Sequence, residues 1–327
     1  MLVFLIIAVV KVIVVLGAVL TTVAYMTLME RKVLGHMQVR FGPNRVGPFG
    51  LFQPIADGLK LFFKEDILVP YANPFIYFFA PAVIVIAVLM SFAVIPFGDH
   101  VTILGKKVDL VVADVNVGLL YLLAISSLGV YGVVMGGWAS NNKYSLLGSI
   151  RSSAQMISYE LSLGLSIVGV LMWAGSLSTV KIVEAQAGGW FIFTQPLGFI
   201  LYFISAMAES SRTPFDLTEC ENELVAGYQT EYSSMKFGLY YLAEYAHILL
   251  VSSLAVTLFF GGWRGPFLPP VIWFLIKVFI FIFIFIWVRA TYPRFRYDQL
   301  MKFGWKVLFP LALLNILITG VWITLAG

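Results

Sequence analysis

The chain has 327 residues, of which 60% are hydrophobic and 12% charged, and its formal net charge is +4. A charged share about half that of an ordinary domain excludes a soluble globular protein, and no soluble basic face is present, so no nucleic acid is expected as a partner. A single cysteine, Cys220, excludes an internal disulfide and any four-cysteine iron–sulfur or zinc set within the chain, and the three histidines lie far apart without ligand spacing.

Runs of about 20 mostly apolar residues, long enough to cross the hydrocarbon core as a helix, recur along the chain. They cover roughly Leu2–Met29, Phe75–Phe97, Val117–Trp138, Ser153–Gly175, Trp190–Ser210, Met235–Phe260, Pro270–Ala290 and Trp305–Leu325. The expected fold is therefore an all-α integral membrane protein, a single membrane domain over residues 1–327 with eight transmembrane helices. The first run is too long for a signal-peptide core and is read as a retained span. Fifteen Lys and Arg lie in or beside the odd-numbered connections, against four in the even-numbered ones. The positive-inside rule puts the odd connections in the cytoplasm and both termini outside. Lys11 and Lys277 fall inside spans, and Gly132 and Gly136 give the third span a small-xxx-small pattern suited to helix packing.

The first connection begins with Gly42-Pro43-Asn44 and Gly47-Pro48 turns. It then carries Leu51, Phe52, Ile55, Leu59, Phe62 and Phe63 near helical period, with Asp57, Lys60 and Lys64 on the other side. An amphipathic helix lying in the plane of the membrane accounts for that pattern. The same helix roofing a cavity that opens to the lipid is the functional alternative.

The fifth connection has the wrong charge for a cytoplasmic loop. AESSRTPFDLTECENELVAGYQTEYSS, Ala208–Ser234, holds six of the chain's 17 carboxylates: Glu209, Asp216, Glu219, Glu221, Glu223 and Glu231, with one arginine, Arg212. Like charges crowded on one helix face destabilise it. A solvated acidic face is the bland reading. The alternative is a polar route, because Glu160 and Glu244 sit inside the fourth and sixth spans, about 10–14 Å below the cytoplasmic surface at 1.5 Å rise per residue. Intramembrane carboxylates normally face a bundle interior or a hydrated path. Coupled carboxylates pass on a proton or a change of charge, and Tyr240, Tyr241 and His247 flank Glu244 at helical spacings.

The seventh connection groups Arg289, Arg294 and Arg296 around Pro293, which suits positive-inside anchoring or an acidic partner. No GxxxxGK or GxGxxG motif occurs, so no nucleotide or redox cofactor is expected on this chain.

Five stretches in order, ERKVLGHMQVRFGPNRVGPFGLFQPIADGLKLFFKE, ISYELSLG, the acidic string above, LAEYAH and VRATYPRFRYDQLMKFGWK, carry a resemblance over essentially the whole chain. It resembles the quinone-site membrane subunit family of respiratory complex I, NADH:quinone oxidoreductase, whose members are called H in bacteria and ND1-type in mitochondria. The resemblance implies a subunit of a proton-translocating oxidoreductase, inactive alone, in a bacterial inner membrane or, alternatively, the mitochondrial inner membrane. Quinone is the implied substrate. FMN and iron–sulfur clusters are implied on partner subunits, with other membrane-arm subunits, hydrophilic-arm subunits and lipid as neighbours. By position in the matching motifs, Glu30, Arg31, Arg40, Asp57, Arg212 and Arg289 correspond to residues near the quinone entrance and chamber. Glu160, Glu209, Asp216, Glu219, Glu221, Glu223, Glu231 and Glu244 correspond to the family's carboxylate path for proton coupling. Phe41 stands where some relatives have lysine.

Two other readings fit parts of the pattern. The equivalent subunit of an ion-translocating membrane hydrogenase or related oxidoreductase would keep the scaffold but usually lose much of the RTPFDL–EY string. A stand-alone secondary transporter would be expected to show inverted repeats, and no repeat is visible in the sequence.

Overall fold

The computed structural model describes residues 2–103, 106–216 and 225–326. In chain order its elements are α1 (Leu2–Met37), α2 (Gln53–Phe63), α3 (Pro74–Ser91), and an antiparallel hairpin of β1 (His100–Ile103) and β2 (Lys106–Asp109). Next come α4 (Gly118–Ala139), α5 (Lys143–Ala174), α6 (Thr179–Ala185), the single turn α7 (Phe191–Thr194) and α8 (Pro196–Glu209). The last are α9 (Ser234–Phe259), α10 (Pro270–Thr291), α11 (Tyr297–Phe303) and α12 (Phe309–Ala326). A π-helical stretch, Gly304–Leu308, joins α11 to α12.

Among the described residues, seven helical stretches are long and apolar enough to cross a membrane. They take in α1, α3, α4, α5, α9, α10 and the run through α11 and α12. The stretch expected as the fifth span differs: it is divided at Gln195, whose φ of −130° and ψ of 51° are not helical. Pro196 follows, and a proline disfavours helical conformation in the residue before it. The 14 residues of α8 rise only about 21 Å. The break is satisfied internally, because Gln195 accepts from Asn315 Nδ2 (3.1 Å) and donates to Thr319 Oγ1 (2.8 Å), both on α12.

Other ends extend further than hydropathy suggested. Helix α1 continues to Met37 and α5 starts at Lys143, so both carry polar turns beyond their apolar runs. Asn142 caps α5 by accepting from the Tyr144 N–H (2.9 Å), and Gly175 ends it at φ 62°. Such left-handed C-terminal positions favour glycine.

Helix α9 is the axis of the bundle: 83% of its apolar window is buried, and it packs on α1, α2, α3 and α10. Helix α1 has only 11% of its window buried. Helix α5 packs on α4, α8 and α12. Gly132 allows α3 and α4 to approach, since a Cβ there would lie 2.2 Å from Ile84, and Gly136 faces the Tyr240 hydroxyl.

Lys277 is buried yet fully used. Its ammonium donates to the carbonyls of Phe260 (2.7 Å), Gly262 (2.9 Å) and Arg264 (2.7 Å), tying α10 to the turn that follows α9. Unsatisfied buried polar groups cost about 1–3 kcal/mol each. Lys277→Met should therefore lower stability by on the order of 3 kcal/mol, read as a lower thermal unfolding midpoint in detergent; an unchanged midpoint would show that these carbonyls find other donors.

Candidate functional site

Four elements bring charge to one place. Helix α1 supplies Glu30 from its polar extension, α9 supplies Glu244 and Tyr245, the last turn of α10 supplies Arg289, and the turn after α8 supplies Arg212. Glu30 and Arg212 are buried, at 5% and 7% exposure. One oxygen of Glu30 faces both Arg289 and, at 3.5 Å, Arg212. The other accepts from the Tyr245 hydroxyl at 2.5 Å. Arg212 turns its Nε to Glu244 Oε1 at 2.6 Å and lies 4.4 Å from the centre of the Tyr245 ring. One guanidinium is thus shared between carboxylates from α1 and α9.

Neighbouring residues on α1 point in different directions, as a helix requires. Glu30 points into the bundle, whereas Arg31 reaches Asp57 on α2 at 2.6 Å. Gln53 donates to the second oxygen of Asp57 (3.0 Å). This pair ties α2 to α1 and is partly exposed. The apolar side chains of α2, including Ile55, Leu59, Phe62 and Phe63, are exposed.

Below the Arg212 cluster, Glu160, Glu209, Glu244 and His247 line one narrow cavity of about 50 Å³, with Ser152, Ser210 and Tyr240 around them. His247 Nε2 is 3.6 Å from Glu209 Oε1. Glu244 therefore belongs to both groups, touching Arg212 on one side and the cavity on the other.

The remaining expected residues are distributed more widely. Asp216 meets Arg294 at 3.3 Å. Burial pushes its carboxyl above the ordinary aspartate range, against the pull of Arg294 and Arg212. Glu231 accepts from Asn142 Nδ2 at 2.5 Å, and its backbone carbonyl accepts from Tyr77; it does not line the cavity. Arg40 is exposed in the turn after α1, where its N–H reaches the Gly35 carbonyl (2.9 Å). Glu219, Glu221 and Glu223 lie outside the described residues, as does Cys220.

Tyr245 was not singled out by spacing from Glu244. Adjacent positions on a helix usually face different neighbours, but Arg212 spans both side chains. The signal available was its place in LAEYAH beside an intramembrane acid. Tyr240 belongs to a buried aromatic cluster, its ring centre 4.8 Å from Tyr232 and 5.2 Å from Tyr228. Lys236 completes that corner, pairing with Asp66 (2.9 Å) and lying over the Tyr77 and Phe78 rings.

Residues 10–320 match the family described as NADH dehydrogenase. The chain is 57% identical over 317 residues to the second of the H subunits of NADH-quinone oxidoreductase in Syntrophobacter fumaroxidans, covering 97% of this chain and 96% of that protein. It is 55% identical to the first of the H subunits in Geobacter sulfurreducens, covering 96% and 94% of the two chains. Identity to the H subunit in Syntrophotalea carbinolica is 54%, over 99% and 98%.

Removing one member of a buried ion pair leaves the other charge uncompensated, at a cost of about 3–5 kcal/mol. Glu30→Gln, which strands Arg212 and part of Arg289, should destabilise by about 3 kcal/mol. The measurement is thermal stability of the purified assembly, and a midpoint equal to the unaltered protein's would contradict the pairing.

Proposed function

We propose a function on one premise: the chain belongs to the NADH dehydrogenase family, whose relatives above are H subunits of NADH-quinone oxidoreductase. It works as a membrane-arm subunit of that oxidoreductase in a bacterial inner membrane and is inactive alone. Eight spans result when α7 and α8 together are counted as the fifth. Helix α2 lies in the membrane plane with its exposed apolar face in lipid. Both termini then lie outside, and the first, fifth and seventh connections face the cytoplasm and the hydrophilic arm.

In this reading Glu30, Arg31, Arg40, Asp57, Arg212 and Arg289 contribute to the quinone chamber. Glu160, Glu209, Asp216, Glu231 and Glu244 carry the coupling to proton movement, and Glu219, Glu221 and Glu223 extend the series through their sequence positions. FMN and iron–sulfur clusters reside on partner subunits of the hydrophilic arm, so this chain supplies charge and shape while electrons arrive from elsewhere.

The observation that carries the proposal is the sharing of Arg212 between Glu30 and Glu244. Two unit charges about 4 Å apart interact by about 4 kcal/mol at an effective dielectric constant of 20. A change of charge at the chamber that draws Arg212 toward Glu30 therefore changes the field at Glu244 by several times RT. Glu244 lines the same cavity as Glu160, Glu209 and His247, which receive the disturbance next. The family relatives favour this reading over a membrane hydrogenase subunit, because their names specify NADH and quinone.

Two experiments test it. Arg31→Ala or Asp57→Ala in the assembled complex should reduce quinone reduction at least tenfold, yet leave NADH oxidation by a hydrophilic acceptor within twofold; parallel loss of both would remove these residues from the chamber. Glu244→Gln preserves size but removes the titrating proton. In vesicles of equal complex content it should cut proton uptake and turnover at least fivefold, whereas Glu184→Gln, in an outer connection, should be near neutral. Equal behaviour of the two variants would contradict the route through α9.

A further inference from the structure

Arg212 can be shared between two helices only if the turn carrying it is held still. That turn runs from the end of α8 to Phe215, and residues Glu209–Phe215 are all buried. Its own backbone offers few ties: the Phe215 N–H reaches the Arg212 carbonyl (2.8 Å), and the Phe295 N–H reaches that of Pro214 (3.1 Å).

The two ends of the turn meet a single side chain from another helix. Gln155 on α5 is fully buried, and its amide nitrogen donates to the carbonyl of Ala208 at 2.8 Å and to that of Phe215 at 2.9 Å. A primary amide has two N–H donors, so one nitrogen can bridge both carbonyls. One turn further along the same face, the Tyr159 ring lies 5.8 Å from that of Phe215. Phe215 in turn stacks on Phe295 (5.6 Å), beside Arg294 of the seventh connection.

From this geometry we infer that Gln155 is a positioning residue for Arg212. By pinning Ala208 and Phe215 to α5, it fixes the span of the intervening turn and holds the guanidinium between Glu30 on α1 and Glu244 on α9. Glu209 and Asp216 flank the two pinned carbonyls, so the same amide sets where the cavity acid and the Arg294-paired acid sit relative to Arg212. Gln155 itself touches none of the charged groups, and its effect passes through the backbone. The inference rests on the reading of Arg212 as the shared cation of the coupling path.

The test is a double-mutant cycle between Gln155 and Arg212 in the assembled complex, since residues acting through one another are non-additive. Content is normalised by NADH oxidation with a hydrophilic acceptor. Gln155→Leu matches the side chain's bulk but removes both donors, and should lower coupled quinone reduction about tenfold. Gln155→Asn keeps an amide one methylene short, reaching one carbonyl, and should retain a third or more of the activity. In an Arg212→Ala background, adding Gln155→Leu should cost less than twofold further.

If Gln155→Leu fails to assemble, the Asn variant and its cycle with Arg212→Ala decide in the same way. A full loss repeated in the Arg212→Ala background would overturn the inference, leaving Gln155 a general structural residue and the coupling proposal intact. Full activity of both Gln155 variants would overturn it as well. Full activity of Arg212→Ala alone would remove both the inference and the proposal on which it rests.

Discussion

A carboxylate removed from water must meet positive charge, and in this chain that carboxylate is Glu30. Burial at 5% exposure would be prohibitive for an isolated anion; two arginines and a tyrosine hydroxyl make it tenable. The partners arrive from the turn after α8, from α9 and from the end of α10, so the relative placement of α1, α8, α9 and α10 follows from satisfying one group. The long polar extension of α1 has the same origin, because Glu30 must reach past the apolar run to meet them.

The apolar packing serves that arrangement. Helix α9 occupies the centre and presents different residues to different neighbours: Tyr245 and Glu244 to Arg212, His247 to Glu209, and Tyr240 to the aromatic cluster. Charges inside the membrane stretch that lie away from this region are satisfied locally. Lys277 spends all three of its hydrogen bonds on carbonyls at the far end of α9, which marks it as structural and separates it from the acids that line a cavity.

Much of this was legible in the sequence. Hydropathy located the long spans, because a helix in lipid must be apolar over a fixed length, and the charge of the acidic connection flagged Glu209 and Asp216. Intramembrane placement flagged Glu160 and Glu244. Three things were not legible. The break at Gln195 is hidden because Trp190–Ser210 is apolar enough to read as one helix, and only Pro196 hinted otherwise. The partner of each acid was hidden because pairing spans up to 259 positions, from Glu30 to Arg289. Gln155 was hidden because an uncharged residue in a helical run carries no charge or periodicity signal, and its role exists only where the turn after α8 folds back on α5.

Infrared difference spectroscopy of the assembled complex during quinone reduction tests the central claim, that Arg212 joins the chamber to the intramembrane acids. Protonation changes of carboxyl groups appear in the carbonyl stretching region. The shared-arginine arrangement predicts a band that Glu244→Gln abolishes and Arg212→Lys displaces, since the lysine ammonium cannot engage Glu30 and Glu244 with the same fork of donors. A carboxyl band indifferent to both substitutions, in complexes that still couple turnover to proton uptake, would contradict it.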